Sequence, residues 1–238
     1  MKISTYATPQ SIVDEAGTIK SRYVIVIDTL RATSVITSAL AAGAKGVIPV
    51  MEIDEAVRLY HNLGADEALL CGEREGNPIP GFHFGNSPAE YHHGSVGGKT
   101  LVMTTTNGTR AILAADKAAE LAIGCMLNAS AVAGHAQQSG RDVTILCAGT
   151  RGRFTTEDVL TAGAIIDALG TDHNGLDDLS VFAHMFYKRF EHDLMGGLRL
   201  CTHAEDLIHA GYGADVEYCM RKDYLSVVAY YEKGLVRL

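Results

Sequence analysis

The sequence predicts an α/β fold with three layers, in which helices cover both faces of a mostly parallel sheet. Residues 23–28 form a continuous apolar run rich in β-branched side chains, as expected of a strand buried on both faces. An Ala-rich segment follows this run and ends at Gly43, which predicts a helix. The same alternation of strand and helix recurs along the chain and is typical of a doubly wound sheet.

The remaining elements follow from periodicity and from turn residues. Further strands are predicted at residues 45–50, 67–71, 100–103, 119–124 and 142–147, and helices at residues 53–62, 111–121, 128–137 and 156–169. Beyond residue 170 we expect helices at 179–189 and 204–210, an edge strand at 215–219 and a helix at 225–231. We therefore expect a single domain over residues 1–238, whose last third (about 170–238) is helical plus an edge strand. Arg31-Ala32 and Arg110-Ala111 each open an Ala-rich helix, which hints at an internal βα duplication.

Composition limits the classes of function that the chain can have. The 238 residues are 47% hydrophobic and carry a net charge of −8 without blocks of like charge, which argues against a nucleic-acid or polybasic membrane surface. No apolar run approaches the roughly 18 residues of a membrane span, and the first residues lack the apolar core of a signal peptide. Five cysteines without C-x-x-C spacing predict no disulfide framework. We expect a cytoplasmic protein that binds neither nucleic acid nor membranes. The sequence is compatible with a homo-oligomer and does not determine the oligomeric state.

Four of the predicted strands are followed by a loop that carries arginine, and three of these loops also carry carboxylates. The arginines are Arg31, Arg74, Arg110 and Arg153, and the carboxylates are Asp28, Glu73, Glu157 and Asp158. Ligands of open α/β sheets bind outside the carboxyl ends of the strands, so we expect the four loops to converge on one crevice. The alternative is that these groups form structural salt bridges across strand ends.

The most distinctive of these loops joins a predicted strand to a predicted helix and consists of Thr104, Thr105, Thr106, Asn107, Gly108, Thr109 and Arg110. Such a loop can aim backbone N–H groups at an anion, and Asn107-Gly108 permits positive φ. The alternative is a Thr-rich turn with a helix cap at Thr106 or Asn107. A second loop, residues 72–88, is long and rich in Gly and Pro, which favours a functional loop over a linker between domains.

Carboxylates and arginines together suit a multiply charged organic phosphate. Carboxylate oxygens are ligands that Mg²⁺ prefers, and guanidinium groups bind phosphate, carboxylate or sulfonate oxygens. The expected partner is therefore a small anionic organophosphate, bound with Mg²⁺.

Several segments resemble the signatures of 2-phosphosulfolactate phosphatases, and they occur in the same order. They are VIDTLRATS at residues 26–34, CGEREG at 71–76, FGNSP at 84–88, TTTNGTR at 104–110, CAG at 147–149 and the pair Glu157-Asp158. The resemblance implies a Mg²⁺-dependent hydrolase that converts 2-phosphosulfolactate to sulfolactate and phosphate, a step of coenzyme M biosynthesis. It also implies an α/β fold distinct from the common phosphatase folds.

The residues and the resemblance together give an expected site. The catalytic residues are expected to be Asp28, Arg31, Glu73 and Arg110, and the Mg²⁺ ligands Asp28, Glu73, Glu157 and Asp158. Substrate is expected to contact Arg74, Asn77, Asn86, Ser87, Thr104, Thr105, Thr106, Asn107, Gly108, Thr109, Gly149 and Arg153. No role is expected in the last third of the chain, where His184, His192, His203 and His209 show no ligand spacing.

Two questions stay open at this point. The nucleophile is either a metal-bound water or a side chain that forms a phosphoenzyme, and Cys71 and Cys147 are candidates by position, although a cysteine at a strand end more often serves packing. The alternative functions are a phospho-metabolite binding protein without turnover and a phosphatase of another 2-phospho acid.

Overall fold

The computed structural model describes residues 1–13, 17, 19–170 and 173–238. The strands are β1 (Ile3–Tyr6), β2 (Tyr23–Ile27), β3 (Gly46–Pro49), β4 (Ala68–Arg74), β5 (Asn77–Pro78), β6 (Thr100–Thr104), β7 (Glu120–Gly124), β8 (Val143–Cys147), β9 (Ala229–Glu232) and β10 (Leu235–Arg237). The α-helices are α1 (Gln10–Val13), α2 (Ala32–Ala41), α3 (Ile53–Leu63), α4 (His93–Val96), α5 (Gly108–Ala114), α6 (Ala129–Ser139), α7 (Thr156–Leu169), α8 (Asp178–Phe190), α9 (Leu194–Leu198), α10 (Thr202–Leu207) and α11 (Gly213–Cys219).

The strands form one mixed sheet in the order β1-β8-β2-β7-β9-β10-β3-β6-β4-β5. Its central strand β2 is buried on both faces, as the sequence predicts. Tyr23, Ile25 and Ile27 pack in a core with α6 and α7, whereas Val24 and Val26 pack in a second core with α2 and α5. Helices therefore cover both faces of a mostly parallel sheet, which confirms the predicted three-layer α/β fold.

The parallel strands fall into two groups that run in opposite directions. One group is β1, β8, β2 and β7, and the other is β3, β6 and β4. Three successive antiparallel pairings, through the β9–β10 hairpin, reverse the second group relative to the first. The carboxyl ends of the two groups therefore leave opposite edges of the sheet. Loops from both groups nevertheless meet, because Gly108, after β6, lies against Asp28 and Ala32, after β2.

The last third of the chain differs from the prediction. Residues 215–219 belong to helix α11 rather than to an edge strand, and part of the segment predicted as a helix at 225–231 belongs to β9. β9 and β10 lie in the middle of the sheet, and the turn between them, Lys233-Gly234, has positive φ at both residues. This is the backbone of a two-residue hairpin turn, a signal that the sequence prediction missed.

Other boundaries also shift. Strand β4 continues to Arg74, so Glu73 and Arg74 lie within the strand rather than beyond it. Helix α5 ends at Ala114, earlier than predicted, and residue 120 begins β7. All five cysteines are free and buried. In the part of the chain that is described, no helix is long and apolar enough to cross a membrane.

Close packing of α7 on α8 depends on Gly163. A Cβ at this position would lie 2.1 Å from the carbonyl oxygen of Ala183 and 2.6 Å from Cβ of Tyr187. We expect Gly163→Ala to lower the free energy of unfolding by about 1–3 kcal/mol, because the helices must separate. Urea denaturation measures the change.

Gly134→Ala in α6 is the matched control, because no atom lies within 4 Å of its added Cβ. It should leave the free energy of unfolding unchanged or raise it by up to about 1 kcal/mol, since Ala is the better helix former. Equal losses in the two variants would contradict the packing argument.

Candidate functional site

Loops from both groups of strands meet at one place. A Cβ added to Gly108, which follows β6, would lie only 2.7 Å from Oδ2 of Asp28, which follows β2. The backbone N–H of Thr106 donates to Oε1 of Glu73, in β4, at 2.7 Å. The ends of β2, β4 and β6 are therefore in direct contact, as the sequence predicts.

Asp158, in the first turn of α7, joins the end of β8 to this place. Its Oδ1 accepts a hydrogen bond from the N–H of Thr29 at 2.9 Å, and its Oδ2 accepts one from the N–H of Gly149 at 3.0 Å. Gly149 has a φ of +60°, and a Cβ there would lie 2.2 Å from the carbonyl oxygen of Arg153. Only glycine fits this turn, which lets the loop after β8 fold back onto Asp158.

Asp28 is buried among other carboxylates. The pKa of Asp28 is raised to about 7, mainly by burial and also by the charges of Glu73 and Glu157, while His203 and the hydrogen bond from Ala32 oppose the rise. Oδ1 accepts a hydrogen bond from the N–H of Ala32 at 3.3 Å, and Oδ2 accepts none within the described residues. Asp28 thus has one oxygen open in a strongly negative environment.

His203, in α10, contributes to the site although the sequence analysis assigned no role to this part of the chain. Its Nδ1 lies 2.7 Å from Oε1 of Glu157, and the thiol of Cys201 donates to Oε2 of Glu157 at 2.7 Å. Burial lowers the pKa of His203, but the hydrogen bond and charge of Glu157 outweigh burial, so the pKa is raised overall. The sequence analysis expected no site role in the last third of the chain, and the structure places His203 of that third against Glu157 and near Asp28.

Arg31 also has a partner in the last third of the chain. Its Nη1 donates to Oδ2 of Asp215 at 2.6 Å, and both side chains are nearly fully buried. Oδ1 of Asp215 accepts a hydrogen bond from Oγ of Ser87 at 2.7 Å, and the ring of Tyr212 lies 4.0 Å from the guanidinium carbon. The sequence analysis assigned no role to Asp215.

The threonines after β6 are engaged within the protein rather than left open. The hydroxyl of Thr104 donates to the carbonyl oxygen of Met51, and that of Thr106 donates to Glu73 at 3.1 Å. Thr105 and Thr109 bond to each other through hydroxyl and backbone groups. Hydroxyl groups next to a buried backbone find local partners in this way, so these side chains shape the loop and hold Glu73.

The other predicted arginines lie in two different environments. Arg74 donates to the carbonyl oxygens of Glu73 and Met51 and to the hydroxyl of Thr104, which ties β4 to its neighbours. Arg110 and Arg153 are exposed, and their side chains make no hydrogen bond or ion pair within the described residues. The backbone N–H of Arg151 donates to Oδ1 of Asn107 at 3.3 Å, so the loops that carry these two arginines touch.

Two asparagines complete the predicted set. Asn77 is exposed on β5, and its amide donates to the carbonyl oxygen of Glu75. Asn86 is buried, and its Oδ1 has no hydrogen-bond partner in the described part of the chain. A buried acceptor without a donor costs free energy, so Asn86 is the better candidate of the two for a ligand contact.

The four carboxylates expected to bind a metal are close to one another but differ in their contacts. Oδ2 of Asp28 is open, whereas Glu73, Glu157 and Asp158 each accept hydrogen bonds on both oxygens. Across residues 1–13, 17, 19–170 and 173–238, no three His, Cys, Asp or Glu side chains are arranged to hold one metal ion. Asp28 is therefore the carboxylate best placed to meet a cation.

The two cysteines considered as nucleophiles are poorly suited to that task. Burial raises the pKa of Cys71 to about 12, and burial with the nearby Asp158 and Glu157 charges raises the pKa of Cys147 well above its usual value. Because the thiolate is the nucleophilic form, both thiols are unreactive at neutral pH.

The raised pKa of Asp28 predicts how stability depends on pH without added metal. Between the unfolded pKa near 4 and the folded pKa of about 7, the folded protein keeps a proton that the unfolded chain has lost. Stability is therefore highest at the acidic end of this window and is lost as the pH rises through about 7. We expect Asp28→Asn, which cannot ionise, to be more stable than the wild type at pH 8 by about 2–4 kcal/mol.

Urea denaturation at pH 5 and pH 8 in the presence of EDTA measures this difference. The exposed Asp116, replaced by Asn, is the matched control and should show no dependence of this kind. A loss of stability in Asp28→Asn of the same size at both pH values would be inconsistent with a buried carboxylate whose pKa is raised.

The fold and the site together define a class. This is an α/β protein in which buried carboxylates, a buried arginine and a histidine lie near the ends of strands. Such an arrangement is typical of proteins that bind charged small molecules.

Comparison with known proteins identifies the family. Residues 6–234 match the family model described as 2-phosphosulpholactate phosphatase. A probable 2-phosphosulfolactate phosphatase of Caldanaerobacter subterraneus subsp. tengcongensis is 46% identical over 100% of this chain and 98% of the relative. Proteins of the same description from Clostridium acetobutylicum and Thermotoga maritima are 41% and 40% identical, over 98% and 88% of this chain and 99% and 89% of the relatives. The chain belongs to the 2-phosphosulfolactate phosphatase family, and it is a phosphoric monoester hydrolase by this membership.

Proposed function

We propose that this protein hydrolyses 2-phosphosulfolactate to sulfolactate and phosphate with the help of Mg²⁺, as a step of coenzyme M biosynthesis. Family membership supports the reaction. The observation that carries the proposal for the site is the contact of Asp28, Glu73 and Asp158 with loops from both groups of strands. Anion binding alone gains nothing from buried carboxylates, whereas a cation that bridges protein and substrate requires them.

The residues present fit Mg²⁺ by their chemistry. Asp28 would hold the ion through its open Oδ2, and the charges of Glu73, Glu157 and Asp158 would stabilise it. These charges repel one another: burial raises the pKa of Asp158, and the charges of Glu157 and Asp28 also raise it. Mg²⁺ commonly binds through one or two carboxylates and completes its shell with water and substrate oxygens, so three protein ligands are not required. When bound, the ion supplies positive charge to the phosphoryl oxygens.

The arginines would hold the anionic oxygens of the substrate. Arg31 follows Asp28 by three residues and is buried, and it suits an oxygen deep in the site. Arg110 and Arg153 are exposed on touching loops and suit the outer charged groups, a carboxylate or sulfonate. Ser87 reaches Arg31 through Asp215, and the N–H of Gly149 donates to Asp158.

In the reaction, an oxygen of water forms a bond to phosphorus and the bond between phosphorus and the C2 oxygen of sulfolactate breaks. The leaving oxygen takes up a proton and becomes the alcohol of sulfolactate. Glu157 holds Nδ1 of His203, which leaves Nε2 without a partner in the described part of the chain and able to hydrogen-bond the substrate. With Nδ1 donating to Glu157, Nε2 is a donor in the protonated ring, the form that the raised pKa of His203 favours, and an acceptor in the neutral ring.

Release of inorganic phosphate tests the proposal. We expect purified protein to release phosphate from 2-phosphosulfolactate with Mg²⁺. EDTA should stop this release, and restored Mg²⁺ should recover it. Phospholactate and phosphoglycolate, which lack the sulfonate, should react with lower kcat/KM. Binding of 2-phosphosulfolactate without phosphate release under any divalent metal would overturn the enzyme assignment, and a preference for phospholactate would overturn the substrate.

We propose a cytoplasmic location for the reaction. The five cysteines are free and buried, which is usual in a reducing compartment.

A further inference from the structure

Asp215 lies where three segments of the chain meet. It is on α11, and its carboxylate accepts hydrogen bonds from Arg31, after β2, and from Ser87, in the long loop after β5. Asp215 is only 6% exposed and Arg31 only 3%. Both carboxylate oxygens are therefore engaged, each by a different segment, in a place that excludes water.

Arg31 is fixed at this junction but not saturated. A guanidinium group has five N–H donors. The protein engages two of them, one on Nη1 with Asp215 at 2.6 Å and one on Nη2 with the carbonyl oxygen of Gly76 at 3.5 Å. The other three have no partner within the described residues, and Tyr212 covers one face of the group. These open donors can bind the oxygens of an anionic ligand.

We propose that Asp215 is a positioning residue, which holds the guanidinium of Arg31 so that its open N–H donors meet anionic oxygens of the substrate. This inference rests on the proposed function of the same site. An arginine side chain has many rotamers, and Asp215 with Tyr212 selects one of them before substrate arrives. Ser87 in turn fixes the carboxylate of Asp215.

Steady-state kinetics of Asp215→Asn test the role. The amide keeps the shape of the side chain but loses its charge and one acceptor oxygen, so Arg31 is less firmly held. We expect kcat/KM for 2-phosphosulfolactate to fall by roughly 10- to 100-fold, as for other groups that orient a contact residue. Glu217→Gln, an exposed carboxylate on the same helix, is the matched control and should leave kcat/KM unchanged.

A double-mutant cycle separates positioning from a purely structural role. In an Arg31→Lys background the fork geometry is already lost, so adding Asp215→Asn should lower kcat/KM by less than about threefold. Folding is monitored by circular dichroism. If Asp215→Asn does not fold, Ser87→Ala is used, which frees one oxygen of Asp215 and should lower kcat/KM by a smaller factor that also vanishes with Arg31→Lys.

The outcomes for this inference and for the proposed function are distinct. The positioning role would be overturned if folded Asp215→Asn kept the wild-type kcat/KM. It would also be overturned if Asp215→Asn lowered kcat/KM by the same factor in the Arg31→Lys background as in the wild type. A wild-type protein that releases no phosphate would overturn the proposed function instead. In that event calorimetric titration with inorganic phosphate decides the inference: weaker binding by Asp215→Asn than by Glu217→Gln supports it, and equal binding refutes it.

Discussion

Replacing Asp28 with Asn should reduce the rate of phosphate release by about 10³-fold or more. A metal ion at a phosphoryl group contributes several kcal/mol of charge stabilisation, and each 1.36 kcal/mol is a factor of ten in rate. Asn keeps the size of the side chain and can still accept the N–H of Ala32, but it removes the charge that would hold Mg²⁺. Phosphate release at saturating substrate, with a range of Mg²⁺ concentrations, measures the loss.

Thermal unfolding gives an independent reading of the same variant. At pH 8, Mg²⁺ should raise the melting temperature of the wild type, because an ion that binds only the folded state stabilises it, and should leave that of Asp28→Asn unchanged. Asp116→Asn, the exposed control, should behave like the wild type in both assays. Full activity of Asp28→Asn, or a rise of its melting temperature with Mg²⁺ as large as that of the wild type, would show that the ion binds elsewhere.

Replacing Arg31 with Met should lower the free energy of unfolding by about 3–5 kcal/mol, because it leaves the buried carboxylate of Asp215 without its cation. The same change removes the guanidinium proposed to hold substrate oxygens, so kcat/KM should also fall by at least about 100-fold. Urea denaturation and phosphate release measure the two effects.

The double variant Arg31→Met/Asp215→Asn separates these effects. With no uncompensated charge left, it should regain much of the lost stability, since a buried ion pair replaced as a whole often costs little. Its activity should stay low. Recovery of activity together with stability would mean that Arg31 acts only through folding and does not contact the substrate.

Much of the fold follows from local sequence. The apolar run at β2 is buried on both faces, and α7 has the same limits in the structure as in the prediction, with Gly170 in the left-handed conformation at its end. The sequence places Asp28 and Glu73 at strand ends and Asp158 in the first turn of the helix after β8, and the structure brings loops from these segments into contact.

Local sequence is enough to predict that acids and arginines lie in the loops that follow the strands. Their partners follow from the packing of segments that are far apart in the chain. The direction of β3, β4 and β6 depends on the hairpin formed by the last residues of the chain, which pairs with strands distant in sequence. His203 and Asp215 reach Glu157 and Arg31 across 46 and 184 positions, and no local pattern encodes contacts of that separation. The physical reason is that periodicity and turn chemistry act over a few residues, whereas the pairing of buried charges depends on how the whole chain packs.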